Sequence, residues 1–296
     1  MEDRARRAGT GARRRWNGDE GALWAAERER FDRMLGPPGE ALLAAAGPVA
    51  GEWVLDAGCG AGALVLEAAR CVGPSGRAVG LDVSALLLDV ARRRTVAAGL
   101  PVELVVADAG APPFRAGVFD VVISRFAANL LPDPAAALGR LARALRTGGR
   151  LALACWRDPA ANDWSALPRE AVAAVLGLAS IPEPDEPAAF AFAEAGHVEE
   201  VLDAAGFEHV RLEPHEERLW VGDDVGDAVG FFAAAAGAGL RGAVPPVVLG
   251  EILATLSDRL AGFAGPGGVR LPSSWWIVTA SRARGPVGPG RSPERG

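Results

Sequence analysis

Three glycines in "VLDAGCGAG", Gly58, Gly60 and Gly62, directly follow a short apolar run and precede an amphipathic one. Glycine lets a backbone turn sharply and lets a ligand approach with no Cβ in the way. Three carboxylates accompany the loop. Asp56 lies two residues before Gly58, Asp82 closes "AVGLD" twenty residues after Gly62, and Asp108 closes "VVAD". At Asp56 a carboxylate would repel a pyrophosphate and suits a cationic ligand instead. At Asp82 it can accept hydrogen bonds from vicinal ribose hydroxyls, and at Asp108 from an exocyclic amine. Any one of these acids serves equally well as a helix N-cap. All three at successive strand ends, beside three glycines, describe a ligand with a ribose, an amine-bearing base and positive charge. S-adenosylmethionine fits that description.

The elements that must position these residues alternate along the chain. Apolar runs at 53–56, 78–82, 102–107, 118–124 and 150–156 read as strands, with helical patterns at 63–71, 85–98 and 134–145 between them. Strands alternating with helices indicate βαβ units and a parallel sheet. The near-continuous apolar character of "VELVVA", "FDVVIS" and "RLALAC" suits strands buried on both faces. Ahead of this core, residues 19–35 carry a helical pattern that Pro37 and Pro38 stop, and 40–46 form a second short helix. Beyond Trp156 the pattern changes. Helices are expected at 164–178 and 198–205, a strand at 210–221, an Ala-rich helical section at 223–263 and a last strand at 274–281.

The fold class is therefore α/β: a Rossmann-like, doubly wound, mostly parallel sheet of seven strands, with a helical N-terminal lid and a helical insertion before the last strand. One domain spans 16–284, with a core at 50–157 and lid or substrate elements at 16–47 and 158–270. An Arg-rich tail at 1–15 and a Pro/Gly/Arg tail at 285–296 read as disordered.

Composition excludes chemistry as firmly as the motifs suggest it. All 31 basic side chains are Arg, and Lys, Tyr and Gln are absent. There is no Schiff-base lysine, no P-loop lysine and no Tyr/Lys dehydrogenase pair. A net charge of −6 disfavours nucleic acid as a partner. The three cysteines lack metal-ligand spacing, so no metal is expected. No apolar run approaches the ~20 residues that span a bilayer, and no secretory signal is visible, so the expected location is cytoplasmic.

From Glu52 to Cys155 the chain resembles the class I S-adenosylmethionine-dependent methyltransferases, of the type related to ubiquinone and menaquinone biosynthesis. "VLDAGCGAG", "VGLDVS", "ADAGAPPF", "FDVVISRF" and "LRTGGRLAL" stand in that family's order and spacing. The resemblance implies S-adenosyl-L-methionine as cofactor. It places the Gly58–Gly62 loop, Cys59 included, against the methionine portion, with Asp56 ordering the loop. Asp82 would hold the ribose and Val83 pack on the adenine, whose edge Asp108 and Ala109 would read. Ser124 and Arg125 would line the methionine end, with Phe126 facing the substrate. Ala127 replaces a glycine common in the family, which alters the pocket floor.

The substrate side is less marked. Trp24 and Phe31, seven residues apart on one helix face, are lid candidates or ordinary core packing. Trp156 and Trp164 offer flat surfaces to a planar substrate or to a sulfonium, and serve equally as domain-edge packing. Trp275 and Trp276 fall on opposite faces of a strand. Methyl transfer from a sulfonium demands proximity and exclusion of water more than a base. Of the three histidines, His215 and His197 are weak candidates for a base, and His209 is expected on the surface. The expected function is methyl transfer to O, N or C of a small molecule, a natural product or quinone-like compound. The alternatives are a fold relative that binds S-adenosylmethionine but catalyses a cyclisation, and a nicotinamide oxidoreductase.

Overall fold

The computed structural model describes residues 11–181, 189–236 and 243–283. Its core is the expected alternation: β1 (Trp53–Ala57), β2 (Arg77–Asp82), β3 (Val102–Val106), β4 (Phe119–Arg125) and β5 (Leu145–Trp156) run parallel. The sheet order is β3-β2-β1-β4-β5-β8-β6, where β6 is Phe207–Gly222 and β8 is Gly268–Arg282. The last strand pairs antiparallel with both β5 and β6, and the two-residue β7 (Ala264–Gly265) pairs with its start. The chain order reverses at β1 and β4, which opens a crevice beyond the carboxyl ends of those strands.

Helices cover both faces of the sheet. The N-terminal group is α1 (Asp19–Ala26), α2 (Arg28–Met34) and α3 (Gly36–Ala46). Between the parallel strands lie α4 (Ala63–Val72), α5 (Ala85–Ala98) and α6 (Pro134–Ala144). After β5 come α7 (Asp163–Leu176), α8 (Ala195–Ala204), α9 (Val225–Ala235) and α10 (Pro246–Ala261). Alternate residues of each strand feed two cores, as the two-residue period requires. Val54 and Ile123 face α3, α7 and α10, while Leu55 and Val122 face α6 and α8.

Several expected boundaries shift for identifiable reasons. Residues 19–35 make two helices that break at Glu27. The pattern does stop before Pro37, at Met34, and the two prolines also fill the first turn of α3, where a missing N–H leaves no intrahelical bond unmade. Residues 11–16 are helical, although 11–15 are expected in the N-terminal tail. The rest of that tail, most of "SIPEPDEP" and the tail from 285 lie outside the described residues. The 223–263 section resolves into α9 and α10, and β6 and β8 are longer than expected because each pairs along nearly its whole length.

Candidate functional site

The site is built at the end of β1. Gly58 and Gly60 adopt φ of 83° and 53°, which disfavours any residue with a Cβ. A Cβ at Gly58 would overlap the methyl group of Ala127, whereas at Gly60 it would enter open space. The turn is thus tight on one side and open on the other. Asp82 holds it from behind: Oδ2 accepts from the Gly60 N–H at 2.8 Å and Oδ1 from the Ser84 N–H at 2.8 Å. Each oxygen keeps a second lone pair for a further donor.

Asp56 is 1% exposed, and its Oδ2 is buried without a hydrogen-bond partner. Burial pushes its pKa up to about 7; the Arg125 charge opposes that rise and the Asp82 carboxylate adds to it. The Arg125 guanidinium donates to the Leu35 carbonyl at 2.8 Å, where burial lowers its own pKa against the pull of Asp56 and Asp32. Cys59 is buried beside Gly80, and burial raises its thiol well above the ordinary value, so it is no thiolate nucleophile.

A cavity of about 50 Å³ lies between the glycine turn and the N-terminal helices. From β1 and its turn it takes Asp56, Gly58, Cys59, Gly60 and Ala61; from β4, Arg125; from α1 and α2, Trp24, Arg28, Phe31 and Asp32. Trp24 and Phe31 stack with centroids 3.7 Å apart and planes 3° from parallel. The lining thus combines two carboxylates, two guanidinium groups and an aromatic wall. A wider surface depression of about 500 Å³ opens between α6 and α8, lined by Gly, Ala, Arg140, Arg143 and Arg282. It sits at the amino ends of the parallel strands, away from the crevice, and gathers no carboxylate.

The remaining expected site residues lie outside this cavity. Gly62 forms the left-handed N-cap of α4 and packs on Ala91. Val83 is half-buried after Asp82, and Asp108 Oδ1 accepts from the Gly110 N–H in a local turn beside half-buried Ala109. Ser124 is buried, its hydroxyl donating to the Ala57 carbonyl at 2.7 Å. Phe126 has a φ of 57°, strained for a residue with a Cβ, and stacks on Trp156 at 3.8 Å. Trp156 then meets Trp164 at 4.8 Å, and Trp164 meets Phe190 at 5.7 Å. This ladder is packed core beside the strand ends. Trp275 and Trp276 do face opposite sides: Trp275 is buried and Trp276 donates to the Ala193 carbonyl.

The histidines do not converge on the cavity. His197 and His209 are exposed, His209 at 2.9 Å from Ser281 Oγ. His215 stacks on Trp275 on the edge strand β6. Four strand spacings separate β6 from β1, about 19 Å. Sequence reasoning passed over Arg28, Asp32 and Arg94. The signal for the first two was positional: with Trp24, Phe31 and Leu35 they make one stripe at helical spacing, two charges set in an apolar face.

The site suits S-adenosylmethionine on its own chemistry. It offers a buried carboxylate oxygen with no partner and a glycine turn open at Gly60 to close backbone approach. A family model described as a methyltransferase domain matches residues 54–149. Nocamycin O-methyltransferase of Saccharothrix syringae is 35% identical over 63% of this chain and 74% of its own length. Aklanonic acid methyltransferase DauC of Streptomyces sp. (strain C5) is 41% identical over 41% of this chain and 58% of its own. Among solved structures, the [4+2]-cyclase SpnF superposes with a TM-score of 0.53 at 20% identity, covering 84% of this chain and 81% of that one. That last likeness is one of fold. Among the described residues no helix is long and apolar enough to cross a membrane, and no group of side chains is placed to hold a metal ion. The chain belongs to the class I S-adenosylmethionine-dependent methyltransferases, enzymes that use S-adenosyl-L-methionine as methyl donor and methylate small molecules.

Proposed function

We propose that the cavity under α1 and α2 receives the methionine end of the cofactor and that the acceptor is a planar natural product of the aromatic polyketide kind. The observation that carries the first part is the lining of the cavity. A zwitterionic amino acid carries one ammonium and one carboxylate, and the cavity presents Asp56 and Asp32 against Arg28 and Arg125. In this reading the unpartnered Asp56 Oδ2 accepts from the ammonium, and an Arg pairs with the carboxylate. Asp82 accepts from the ribose hydroxyls with its spare lone pairs, Val83 packs on the adenine, and Asp108 with Ala109 reads the adenine edge. Trp24 and Phe31 turn aromatic faces toward a sulfonium. Ser124 serves by holding β4 to β1 rather than by contact.

S-adenosylmethionine, when bound, supplies an electrophilic methyl carbon. The chain's part is to orient the two reactants in line and keep water out. No histidine reaches the cavity, so positioning, with no protein base, is the reading the geometry favours. The natural-product relatives support the acceptor class. We read the domain as one unit from 16 to 284, acting on a free small molecule and not on nucleic acid.

The test is titration calorimetry with S-adenosylmethionine, followed by an assay for S-adenosylhomocysteine formation with aromatic polyketide acceptors. Micromolar binding that Asp56→Asn weakens at least tenfold supports the site. Equal binding by that variant refutes it, and turnover only of non-planar acceptors refutes the acceptor class.

A further inference from the structure

The cavity under the N-terminal cover is too small even for the methionine end assigned to it. It holds about 50 Å³, where a single water takes about 30 Å³ of liquid. The cover must therefore move to admit its ligand, and its two sides are fastened very differently. On the outer side Arg30 donates to both oxygens of Asp227 on α9, at 3.1 and 2.5 Å, and to the Val221 carbonyl on β6 at 2.7 Å. The same guanidinium lies over the rings of Trp220 and Phe231. Arg33 adds a second cation over Trp220, at 3.8 Å.

On the inner side Arg125 holds the Leu35 carbonyl at 2.8 Å, Ser84 Oγ donates to the Trp16 carbonyl at 2.6 Å and the Ala85 N–H to Asn17 Oδ1 at 3.0 Å, and an ion pair spans the mouth itself. Arg94, on α5, donates from Nη1 to the Ala61 carbonyl in the glycine turn at 2.9 Å and from Nη2 to Asp32 Oδ2 on α2 at 2.5 Å. Both side chains are between a quarter and a third exposed, so water can compete for either. Asp32 and Ala61 both line the cavity. The bridge thus joins the two walls between which the ligand must pass. It also gives the glycine turn a cationic partner on a carbonyl that the turn itself leaves unpaired.

We propose that Arg94 and Asp32 are positioning residues: their ion pair latches the cover over the glycine turn and sets the rate at which cofactor enters and product leaves. The inference rests on the cavity being the cofactor site. The cover turns on its Arg30–Asp227 side and opens at Arg94. Breaking the latch leaves every group assigned above to contact the methionine end in place except Asp32. Asp32 is tied to Arg94, which leaves Asp56 to take the ammonium.

Two measurements test this. Hydrogen exchange on the ligand-free protein reads the cover directly. Asp32→Asn and Arg94→Gln should each accelerate exchange across residues 19–35 while residues 219–232 stay as protected as before. Stopped-flow tryptophan fluorescence with S-adenosylhomocysteine reads the gate. Arg94→Gln, which touches no group assigned to the ligand, should release it about fivefold faster, as expected for losing a partly exposed charged pair, and Arg94→Lys should restore part of the difference. For Arg94→Gln the steady-state signature is a raised KM for S-adenosylmethionine with kcat unchanged or higher. A lowered melting temperature with unchanged release and unchanged exchange at 19–35 makes the pair merely structural and overturns the latch. Failure of the unmodified protein to bind S-adenosylhomocysteine overturns the cofactor site instead, and the exchange data still judge whether the cover opens at Arg94.

Discussion

The two walls of the cavity are held by different physics. The sheet wall is backbone: glycines at positive φ, a turn fixed by Asp82 through two N–H groups, and a floor where Gly58 meets Ala127 with no room between them. The helical wall is side chains: arginines reaching carbonyls and carboxylates, and stacked rings. Close-packed backbone has few ways to relax, so a single added methyl is felt in full. Long side chains yield and re-pair, and water replaces part of what they lose. The sheet wall is thereby the rigid template and the helical wall the adjustable one.

The sharpest way to break that contrast is Gly58→Ala. The new methyl overlaps that of Ala127 and sits on a left-handed backbone. Overpacking and the left-handed strain together amount to about 4 kcal/mol, enough to abolish cofactor binding and lower the melting temperature by roughly 10 °C. Ala127→Gly in the same chain should recover the overpacking part, while Gly60→Ala, facing open space, should cost only the left-handed strain of about 1–2 kcal/mol. A Gly58→Ala protein that melts and binds normally would mean the template is not rigid. Next in size is Asp82→Ala, which strands the Gly60 and Ser84 N–H groups. S-adenosylmethionine affinity measured by calorimetry should fall about 30-fold, the worth of charge-assisted bonds. A drop in stability with full affinity would reduce Asp82 to a turn anchor.

The same contrast explains what could be read before the structure. The sheet wall was legible because its demands fall on residue types: only glycine fits Gly58, and an acid must end β2 to hold the Gly60 N–H. Local spacing carries that information. The helical wall was only half legible. Periodicity found Trp24 and Phe31, but the partners of Asp32 and Arg30 lie 62 and 197 residues away, and no local pattern names them. Pro37–Pro38 marked the stop at Met34 but concealed that the same pair begins the next helix, since a proline pair reads as a stop in either role. Trp156 and Trp164 illustrate the opposite limit: their residue type suited a substrate surface or domain-edge packing alike, and only the structure shows them in one ladder with Phe126 and Phe190, Trp156 buried and Trp164 half-buried.

A third effect, smaller and reversible, separates the walls by pH. Burial raises Asp56 to about 7 in the folded chain, above the ~3.9 of an unfolded aspartate. Between those values the folded state holds a proton that the unfolded state has released. Stability from this group is therefore greatest near pH 4, declines as pH rises to about 7, and is flat beyond. A cationic ligand prefers the ionised acid, so its affinity moves the other way and should fall about tenfold from pH 8 to pH 6. Calorimetry across that range checks it, and Asp56→Asn should flatten both profiles. A pH-independent affinity in the parent protein would place the ligand's positive charge elsewhere.

The smallest effect lies on the far side of the cover, where Arg30 and Arg33 both reach Trp220 but from different surroundings. The Arg30 side chain is 14% exposed and bound to Asp227, whereas that of Arg33 is 49% exposed and its partner Asp223 is 75% exposed. Removing Arg30 takes the guanidinium from the Val221 carbonyl and leaves the partly buried Asp227 carboxylate with only the Asp223 N–H, a loss of about 2 kcal/mol. Removing Arg33 forfeits a screened ion pair and one ring contact, about 0.5–1 kcal/mol. Thermal melts should therefore rank Arg30→Ala well below Arg33→Ala, with the latter only about 1–3 °C under the parent. Salt should discriminate further, since 0.5 M sodium chloride screens the exposed pair and narrows the Arg33→Ala difference but leaves that of Arg30→Ala. Equal losses would mean that the cover hangs on Trp220 itself, through its face, and that the buried carboxylate contributes nothing to the hinge.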